Sequence, residues 1–351
     1  MRASFISSVF EVATAFLRSK FEEEPRTRGS IIAPRRRRVA KAGSISEALG
    51  TRSGIEGTVM AKTGEGESLG TAEGAVLGRA THTLHDEKPV LNDTWAIELL
   101  GPTTQVEARD AEHQRRLRED SAIDFRLILA VGIGSLRYAE DEVDRCAADG
   151  IHQYVVLGAG FDTFALRRGD VADRLRVYEV DFPDVQALKR KRIEKAKPQP
   201  GQIPTFIPVD FETMSISQGL AATDFDPARP AVWSWMNTIP YLTNEATETT
   251  LTEVARLMAP GSRIVLNYQG KVALSQAQID YLQSLGELVR EGGEPMKSLW
   301  TPEDFESMLT RCGLRTIDHS TESDLNERYF EGRKDGLYAA MPARLITAGP
   351  T

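Results

Sequence analysis

The stretch QYVVLGAGFDT, residues 153–163, decides the fold. It opens with a short apolar run, which is the pattern of a strand buried on both faces of a sheet. The run then enters Gly158-Ala159-Gly160 and turns toward a helix. Glycines are needed there because a Cβ would block the close approach of a ligand to the backbone. The stretch therefore predicts a strand, a ligand-binding loop and a helix in succession.

Further strand-like runs follow along the chain, at 177–181 (VYEVD), 231–236 (AVWSWM) and 263–268 (RIVLNY). Between the last two lies 244–258, a predicted helix with an apolar face and Asn244 as its polar cap. Strands that alternate with helices predict an α/β fold, a doubly wound and mostly parallel sheet covered on both faces. Such sheets bind ligands beyond the carboxyl ends of their strands, where the strand order reverses.

Two carboxylates end the strand that follows the glycine loop. Glu179 and Asp181 lie about 20 residues beyond the loop, the spacing at which an acid accepts hydrogen bonds from the ribose hydroxyls of an adenosine cofactor. Side chains alternate along a strand, so both point the same way and only the one nearer the tip need touch ribose. The alternative interpretation is a solvated strand end.

The glycine loop also distinguishes between adenosine cofactors. Dinucleotide sites favour a third glycine, because pyrophosphate rests on a helix N-terminus, and this loop has only Gly158 and Gly160. Asp162 would repel a pyrophosphate but suits a cofactor that carries a sulfonium and an ammonium group. The loop therefore favours S-adenosylmethionine, and a nicotinamide-dependent oxidoreductase stands as a less favoured alternative.

A third candidate contact is PVDF, residues 208–211, which follows the strand-like TFIPV. Asp210 can accept a hydrogen bond from an adenine amino group, and Phe211 can pack on the ring face. The alternative for this segment is an ordinary turn.

Composition limits the partners. The net charge is −8, so the chain as a whole lacks the positive charge that nucleic acid attracts, and no nucleic-acid partner is expected. No apolar run approaches the ~20 residues of a membrane span. Cys146 and Cys312 are too few for a disulfide framework or a cysteine-rich metal site. These features predict a cytoplasmic protein without a membrane partner or a metal.

Charge also divides the chain. Residues 1–66 hold 12 Lys and Arg against 7 Asp and Glu, a net charge of +5. They show little apolar periodicity, which predicts a flexible, disordered basic extension, with targeting or partner binding as alternative roles. The strand and helix patterns begin at 67, so residues 67–351 are the predicted catalytic domain. The basic run KRKR at 189–192 is interpreted as the solvated face of a helix.

Several stretches, taken in order, resemble the leucine carboxyl methyltransferase family: TAEGAVLGRATH (71–82), LNDTWAIELLG (91–101), RYAEDEV (137–143), GIHQYVVLGAGFDTFALRR (150–168), VYEVDFPDVQALKRKRI (177–193), PYLT (240–243), APGSRIVLNY (259–268) and RYFEGRKDGL (328–337). The resemblance implies a class I S-adenosylmethionine-dependent methyltransferase with a seven-stranded sheet.

The resemblance also implies roles for single positions. Gly158 and Gly160 would line the methionine portion of the cofactor, and Asp181 would bind its ribose. The adenine would lie against Asp210 and Phe211. Arg137 would pair with the cofactor carboxylate, a task that suits a guanidinium.

Two positions depart from the family pattern. Ser135 stands where many relatives carry a first arginine, and Met236 stands where they often carry a glutamate. These departures support one further alternative, an inactive member that binds the cofactor or acts as a scaffold.

The expected reaction is direct methyl transfer to an oxygen of a small molecule, a carboxylate or a hydroxyl. The family's bacterial and fungal branches make secondary metabolism one setting that the resemblance implies. None of the five histidines is assigned as a general base; each is expected at the surface or at a cap, which favours a carboxylate acceptor. Residues 270–300 are expected to cap the acceptor pocket.

Overall fold

The computed structural model describes residues 71–120, 125–172, 174–199, 201–276, 278–283 and 296–351. The basic extension predicted at 1–66 and the domain start at 67 lie outside these residues. Among the described residues, no helix is both long and apolar enough to cross a bilayer.

The described residues form a seven-stranded sheet in the order β3-β2-β1-β4-β5-β7-β6. Strands β1 to β5 run parallel, and β7 is antiparallel to both of its neighbours. This confirms the doubly wound, mostly parallel sheet; β4 is shorter than the run 231–236 suggested. The strands are β1 Gln153–Leu157, β2 Arg176–Asp181, β3 Thr205–Pro208, β4 Val232–Trp235, β5 Arg263–Tyr268, β6 Leu314–Thr321 and β7 Arg344–Pro350.

Helices cover both faces of the sheet, and further helical residues lie at 278–283. The helices are α1 Thr71–His85, α2 Pro102–Arg109, α3 Ala111–Asp120, α4 Arg126–Ala148, α5 Phe164–Arg167, α6 Gly169–Ala172, α7 Pro183–Ala196, α8 Ile216–Ala221, α9 Asn244–Leu257, α10 Pro302–Arg311 and α11 Glu322–Leu325, with 3₁₀ turns at Ala96–Leu99 and Ile239–Tyr241 and a π turn at Asn326–Phe330. The cap of α9 is Thr243, whose hydroxyl accepts from the backbone N–H of Ala246, so the assignment of Asn244 as the cap was wrong.

Alternating strand residues supply two apolar layers. On one face, side chains such as Val155, Trp233 and Leu266 pack with α8, α9 and α10 in one buried cluster. On the other face, Val156 and Val265 pack with α4. Burial of each large apolar side chain contributes about 1.5–3 kcal/mol, so these two layers hold the helices on the sheet.

The strand order reverses at β1. The chain passes from β1 outward to β2 and β3, then returns to place β4 on the other side of β1. Leu157 is paired with Trp235, so the loops after β1 and β4 leave the sheet side by side. From there the chain leads to β2 on one side and to β5 on the other, so a crevice is expected between the two loops. It lies at what we call the carboxyl edge, where β1 to β5 end.

Candidate functional site

The glycine loop is a tight left-handed turn after β1. Gly158 and Gly160 have φ values of 62° and 49°, a region that side chains with a Cβ rarely adopt. The N–H of Ala159 donates to the carbonyl of Val180 at 3.2 Å, which ties the loop to β2. A Cβ built at Gly160 would meet no atom within 4 Å, so the loop leaves open space for a ligand there.

Asp181 lies against this loop at the tip of β2. One carboxylate oxygen accepts from the N–H of Gly160, and the other accepts from the N–H of Phe182 at 2.6 Å. Burial raises the pKa of Asp181, and the two N–H donors partly oppose that rise. Each oxygen has a second lone pair, so Asp181 can still accept hydrogen bonds from two ribose hydroxyls.

Asp162 begins the helix that follows the loop. Its Oδ1 accepts from the N–H of Phe164 at 2.7 Å, the first residue of α5. Burial raises the pKa of Asp162, and Lys189 opposes the rise. A buried carboxylate at this place would be stabilised by a ligand that carries positive charge.

Asp210 and Phe211 follow β3 at the same edge. Because Asp181 is paired with Pro208, Asp210 lies just beyond the neighbouring strand end. Its two oxygens accept from Glu212 N–H at 2.9 Å and from Thr213 Oγ1 at 3.0 Å, so the turn that was the alternative interpretation of this segment is present. The Phe211 ring lies 5.7 Å from that of Trp235, tilted by 42°. Contact with adenine stays a prediction for both residues.

Arg137 has a partner within its own helix. Its Nη2 donates to Asp141 Oδ1 at 2.5 Å, and Tyr329 donates its hydroxyl to the other oxygen of Asp141 at 2.7 Å. The Arg137 side chain is 39% exposed. Pairing of Arg137 with a cofactor carboxylate therefore stays a prediction and would require it to share or leave Asp141.

Two residues that the sequence did not single out hold the loop: Arg79 on α1, and Asp93, which follows that helix. Arg79 donates through Nη2 to the Phe161 carbonyl at 2.6 Å and through Nε to Asp93 at 2.8 Å. Thr163 donates to the other oxygen of Asp93 at 2.7 Å. Burial alone would raise the pKa of Asp93, but Arg79 and Arg167 hold it below its ordinary value. Both residues lie in family-like stretches, yet nothing in their spacing shows that they meet.

The basic run at 189–192 is a solvated helix face only in part, because Arg190 and Lys191 are exposed but Lys189 is not. Lys189 is fully buried and forms an ion pair with Glu179, the β2 residue that points the same way as Asp181. Burial raises the pKa of Glu179 to about 7, against the attraction of Lys189. Arg190 stacks over the Phe206 ring at 4.6 Å, and Arg192 is bonded to the Leu99 carbonyl at 2.5 Å. The interpretation was therefore wrong for Lys189, because a buried strand carboxylate faces it.

Three histidines form hydrogen bonds with groups outside the glycine loop, and these are His82, His85 and His152. His82 is 1% exposed, so its expected surface position was wrong; Asp86 contacts its Nδ1 at 2.5 Å, and Val90 N–H donates to its Nε2 at 2.8 Å. His85 meets the Ala108 carbonyl at 2.6 Å. His152 meets the Arg174 carbonyl at 2.9 Å, at the amino ends of the strands.

Met236 is buried at 8% exposure, in an apolar cluster with Tyr138 and Val265. It packs between β4, β5 and α4, where a carboxylate would be costly without a partner. Ser135, on α4, is also fully buried. The two departures from the family pattern are thus accommodated in the core of the domain.

The acceptor groups and the open space at this loop fit S-adenosylmethionine. The open space at Gly160 admits a ligand to the backbone, and Asp181 offers acceptor oxygens beside it. Asp162 supplies negative charge within the same loop, which suits a sulfonium and opposes a pyrophosphate. In the part of the chain that the structure describes, no cluster of His, Cys, Asp and Glu could hold a metal ion.

Replacing Gly160 with alanine is expected to weaken cofactor binding without unfolding the protein. The new Cβ meets no protein atom, so stability should fall only by the ~1–2 kcal/mol of a left-handed alanine. It would instead enter the ligand space, and we expect at least a ~10-fold loss of affinity in calorimetry. Gly150→Ala is the matched control, since Gly150 has φ 88°, an open surrounding and a place at the far end of α4. Equal affinity of both variants would contradict the placement.

Comparison with known proteins agrees with this geometry. The Leucine carboxyl methyltransferase family profile matches residues 72–255, more than half of the chain. YktD of Bacillus subtilis (strain 168), which carries the name of an S-adenosyl-L-methionine-dependent methyltransferase, is 26% identical over 299 residues, covering 80% of this chain and 98% of its own. A similarly named protein of Mycolicibacterium paratuberculosis is 28% identical over 307 residues, covering 80% and 94%.

Solved structures share the fold. A methyltransferase structure from Thermobifida fusca has a TM-score of 0.50 at 18% identity, covering 78% of this chain and 94% of that one. A DUF574 family protein from Streptomyces avermitilis has a TM-score of 0.50 at 16% identity, covering 78% and 97%. With the glycine loop and Asp181 at the carboxyl edge, the chain belongs to the leucine carboxyl methyltransferase family and is an S-adenosylmethionine-dependent methyltransferase.

Proposed function

We propose that the protein transfers the methyl group to an oxygen of a small molecule, and that this oxygen belongs to a carboxylate. The observation that carries the proposal is that three of the five histidines are engaged by groups outside the glycine loop: His82 and His85 in the α1–α2 region, and His152 at the opposite end of the sheet. A carboxylate is ionised at neutral pH and needs no general base, whereas a hydroxyl needs one.

The chain's task in this reaction is positioning. S-adenosylmethionine supplies, when bound, a methyl group that its sulfonium already activates. Gly158, Gly160 and Asp181 would hold its methionine and ribose portions, and Asp210 with Phe211 would hold the adenine. Asp162 would balance positive charge beside the loop. The acceptor oxygen then needs to be held in line with the methyl group, and orientation of this kind supplies a large part of a transfer barrier.

The segment 296–300 supports the prediction of an acceptor-facing cap. Lys297 N–H donates to the Pro240 carbonyl at 2.7 Å, and Ser298 Oγ donates to the Ile239 carbonyl at 2.8 Å, directly after β4. Met296 and Leu299 remain 38% and 52% exposed beside this turn. Exposed apolar side chains at this place suit an acceptor with an apolar body. The remainder of 270–300 is described only at 270–276 and 278–283.

The test is a transfer assay with S-adenosylmethionine labelled in its methyl group. The acceptors are matched sets of carboxylic acids, phenols and amines with the same apolar bodies. A methyl ester releases its label in mild alkali, whereas ethers and methylamines retain it. We expect alkali-labile product. Alkali-stable product would contradict the carboxylate proposal, and cofactor binding without transfer to any acceptor would favour the inactive alternative.

The pH profile of transfer gives an independent prediction. A carboxylate acceptor with a pKa near 4 is fully ionised from about pH 6 upward, so kcat/KM should stay flat between about pH 6 and 8.5. A phenolic acceptor with a pKa near 10 would give a rate that rises about tenfold per pH unit over the same range. A steep rise with a preferred acceptor would therefore exclude a carboxylate.

A further inference from the structure

Asn237, directly after β4, has an unusual backbone. Its φ is 58°, in the left-handed region, and among the described residues other than glycine only Lys197 shares a positive φ. Asparagine tolerates this region better than most residues, but the conformation still requires support from its surroundings. The next residue, Thr238, fills the space beside Gly158, so Asn237 stands next to the glycine loop.

The hydrogen bonds of Asn237 fix the orientation of two side-chain amides. Its backbone N–H donates to Asn267 Oδ1 at 2.6 Å, and a backbone N–H can only donate, so the oxygen of Asn267 must face it. The Nδ2 of Asn267 then donates to Asn237 Oδ1 at 2.8 Å and to Ser135 Oγ at 3.2 Å. The oxygen of Asn237 is thereby engaged, which leaves its Nδ2 as the available group.

That Nδ2 makes no hydrogen bond to the part of the chain that the structure describes. Asn237 is exposed, while Asn267 is 7% exposed and Ser135 is fully buried. The arrangement places an N–H donor in the crevice on a rigid, buried support, as a preorganised binding group requires.

We propose that Nδ2 of Asn237 donates a hydrogen bond to the carboxylate of the cofactor's methionine portion. Gly158 and Gly160 would line that portion, and of its three charged groups, the carboxylate, the ammonium and the sulfonium, only the carboxylate accepts a hydrogen bond. Asn237 is linked through Asn267 to Ser135, the position at which many relatives carry a first arginine, so its amide would supply a carboxylate contact beside that position. The proposal concerns the cofactor and does not depend on which atom of the acceptor is methylated.

The test compares two ligands in calorimetric titrations of the full chain. S-adenosylhomocysteine carries the carboxylate, and its decarboxylated analogue keeps the ammonium but lacks it. Asn237→Gly retains the left-handed backbone without the amide. We expect this variant to bind S-adenosylhomocysteine about 10- to 100-fold more weakly, the effect of losing a hydrogen bond to a charged group, and to bind the analogue as the wild type does. Lys197→Gly, the matched change at the end of α7, should alter neither affinity.

Equal losses for both ligands, or no loss for either, would overturn the proposal. An unchanged affinity for S-adenosylhomocysteine combined with weaker binding of a carboxylate acceptor would also overturn it, since the amide would then serve the acceptor. Asn267 acts as a positioning residue, so Asn267→Leu should show the same ligand-selective loss. The double variant Asn237→Gly/Asn267→Leu should lose no more affinity for S-adenosylhomocysteine than Asn237→Gly alone. Additive losses of affinity would contradict the coupling of the two residues.

Discussion

Asp181→Ala is expected to lower the affinity for S-adenosylmethionine by about 100-fold or more. The carboxylate offers acceptors for two ribose hydroxyls, and each hydrogen bond to a charged group contributes roughly 1.5–3 kcal/mol. The same oxygens also receive the N–H groups of Gly160 and Phe182, so the substitution loosens the loop as well. Calorimetric titration of the purified full chain measures the loss, with thermal unfolding to show that the variant is folded.

A ribose-modified ligand separates these two causes. The wild type should bind S-adenosylhomocysteine far more tightly than its 2′,3′-dideoxy analogue, and Asp181→Ala should bind the two almost equally. Asp181→Asn keeps one acceptor oxygen and should lie between. If Asp181→Ala still discriminates as strongly as the wild type, Asp181 supports the loop but does not bind ribose.

Lys189→Met is expected to destabilise the protein by about 3–5 kcal/mol, because it leaves the Glu179 carboxylate buried without its partner. Urea unfolding at about pH 8 measures the loss. The double variant Glu179→Gln/Lys189→Met removes both charges and should recover much of the stability. Equal stabilities of the single and double variants would contradict the assigned pair.

The pH dependence of this effect has a definite sign. In the wild type, burial raises the pKa of Glu179 from 4.5 to about 7, so its protonated form is favoured in the folded state. Protonated Glu179 therefore contributes to the free energy of unfolding. This contribution is fully present below the ordinary pKa of 4.5 and is lost as the pH rises through about 7. Without Lys189 the pKa rises further, so Lys189→Met should be more damaging at pH 8 than at pH 6. Glu179→Gln should remove this dependence.

Local patterns were enough to predict the parallel strands and the α/β class, whereas the count of seven strands came from the family resemblance. The apolar runs that end in Gly158 and in Asp181 predicted β1 and β2, because a buried parallel strand has few polar positions and its end is marked by a glycine or an acid. The same reasoning placed Asp210 just past β3. Each of these signals lies within a few residues of the strand that it ends, so none of them needs knowledge of tertiary contacts.

The contacts that complete the site could not be predicted in this way. Arg79 meets Phe161 across 82 residues, and Asn267 meets Ser135 across 132. Lys189 lies within a basic run that is typical of a solvated helix, and only the position of Glu179 on the facing strand shows why it is buried. Pattern and composition describe one element at a time, whereas these pairs form when elements pack.

A crystal structure of the full chain with S-adenosylhomocysteine tests the central claim most directly. We expect the ligand at the carboxyl edge between the loops after β1 and β4, with both ribose hydroxyls within hydrogen-bond distance of Asp181 and its methionine portion along Gly158–Gly160. A ligand bound elsewhere on the sheet, or one whose ribose does not contact Asp181, would contradict the assignment of the cofactor site.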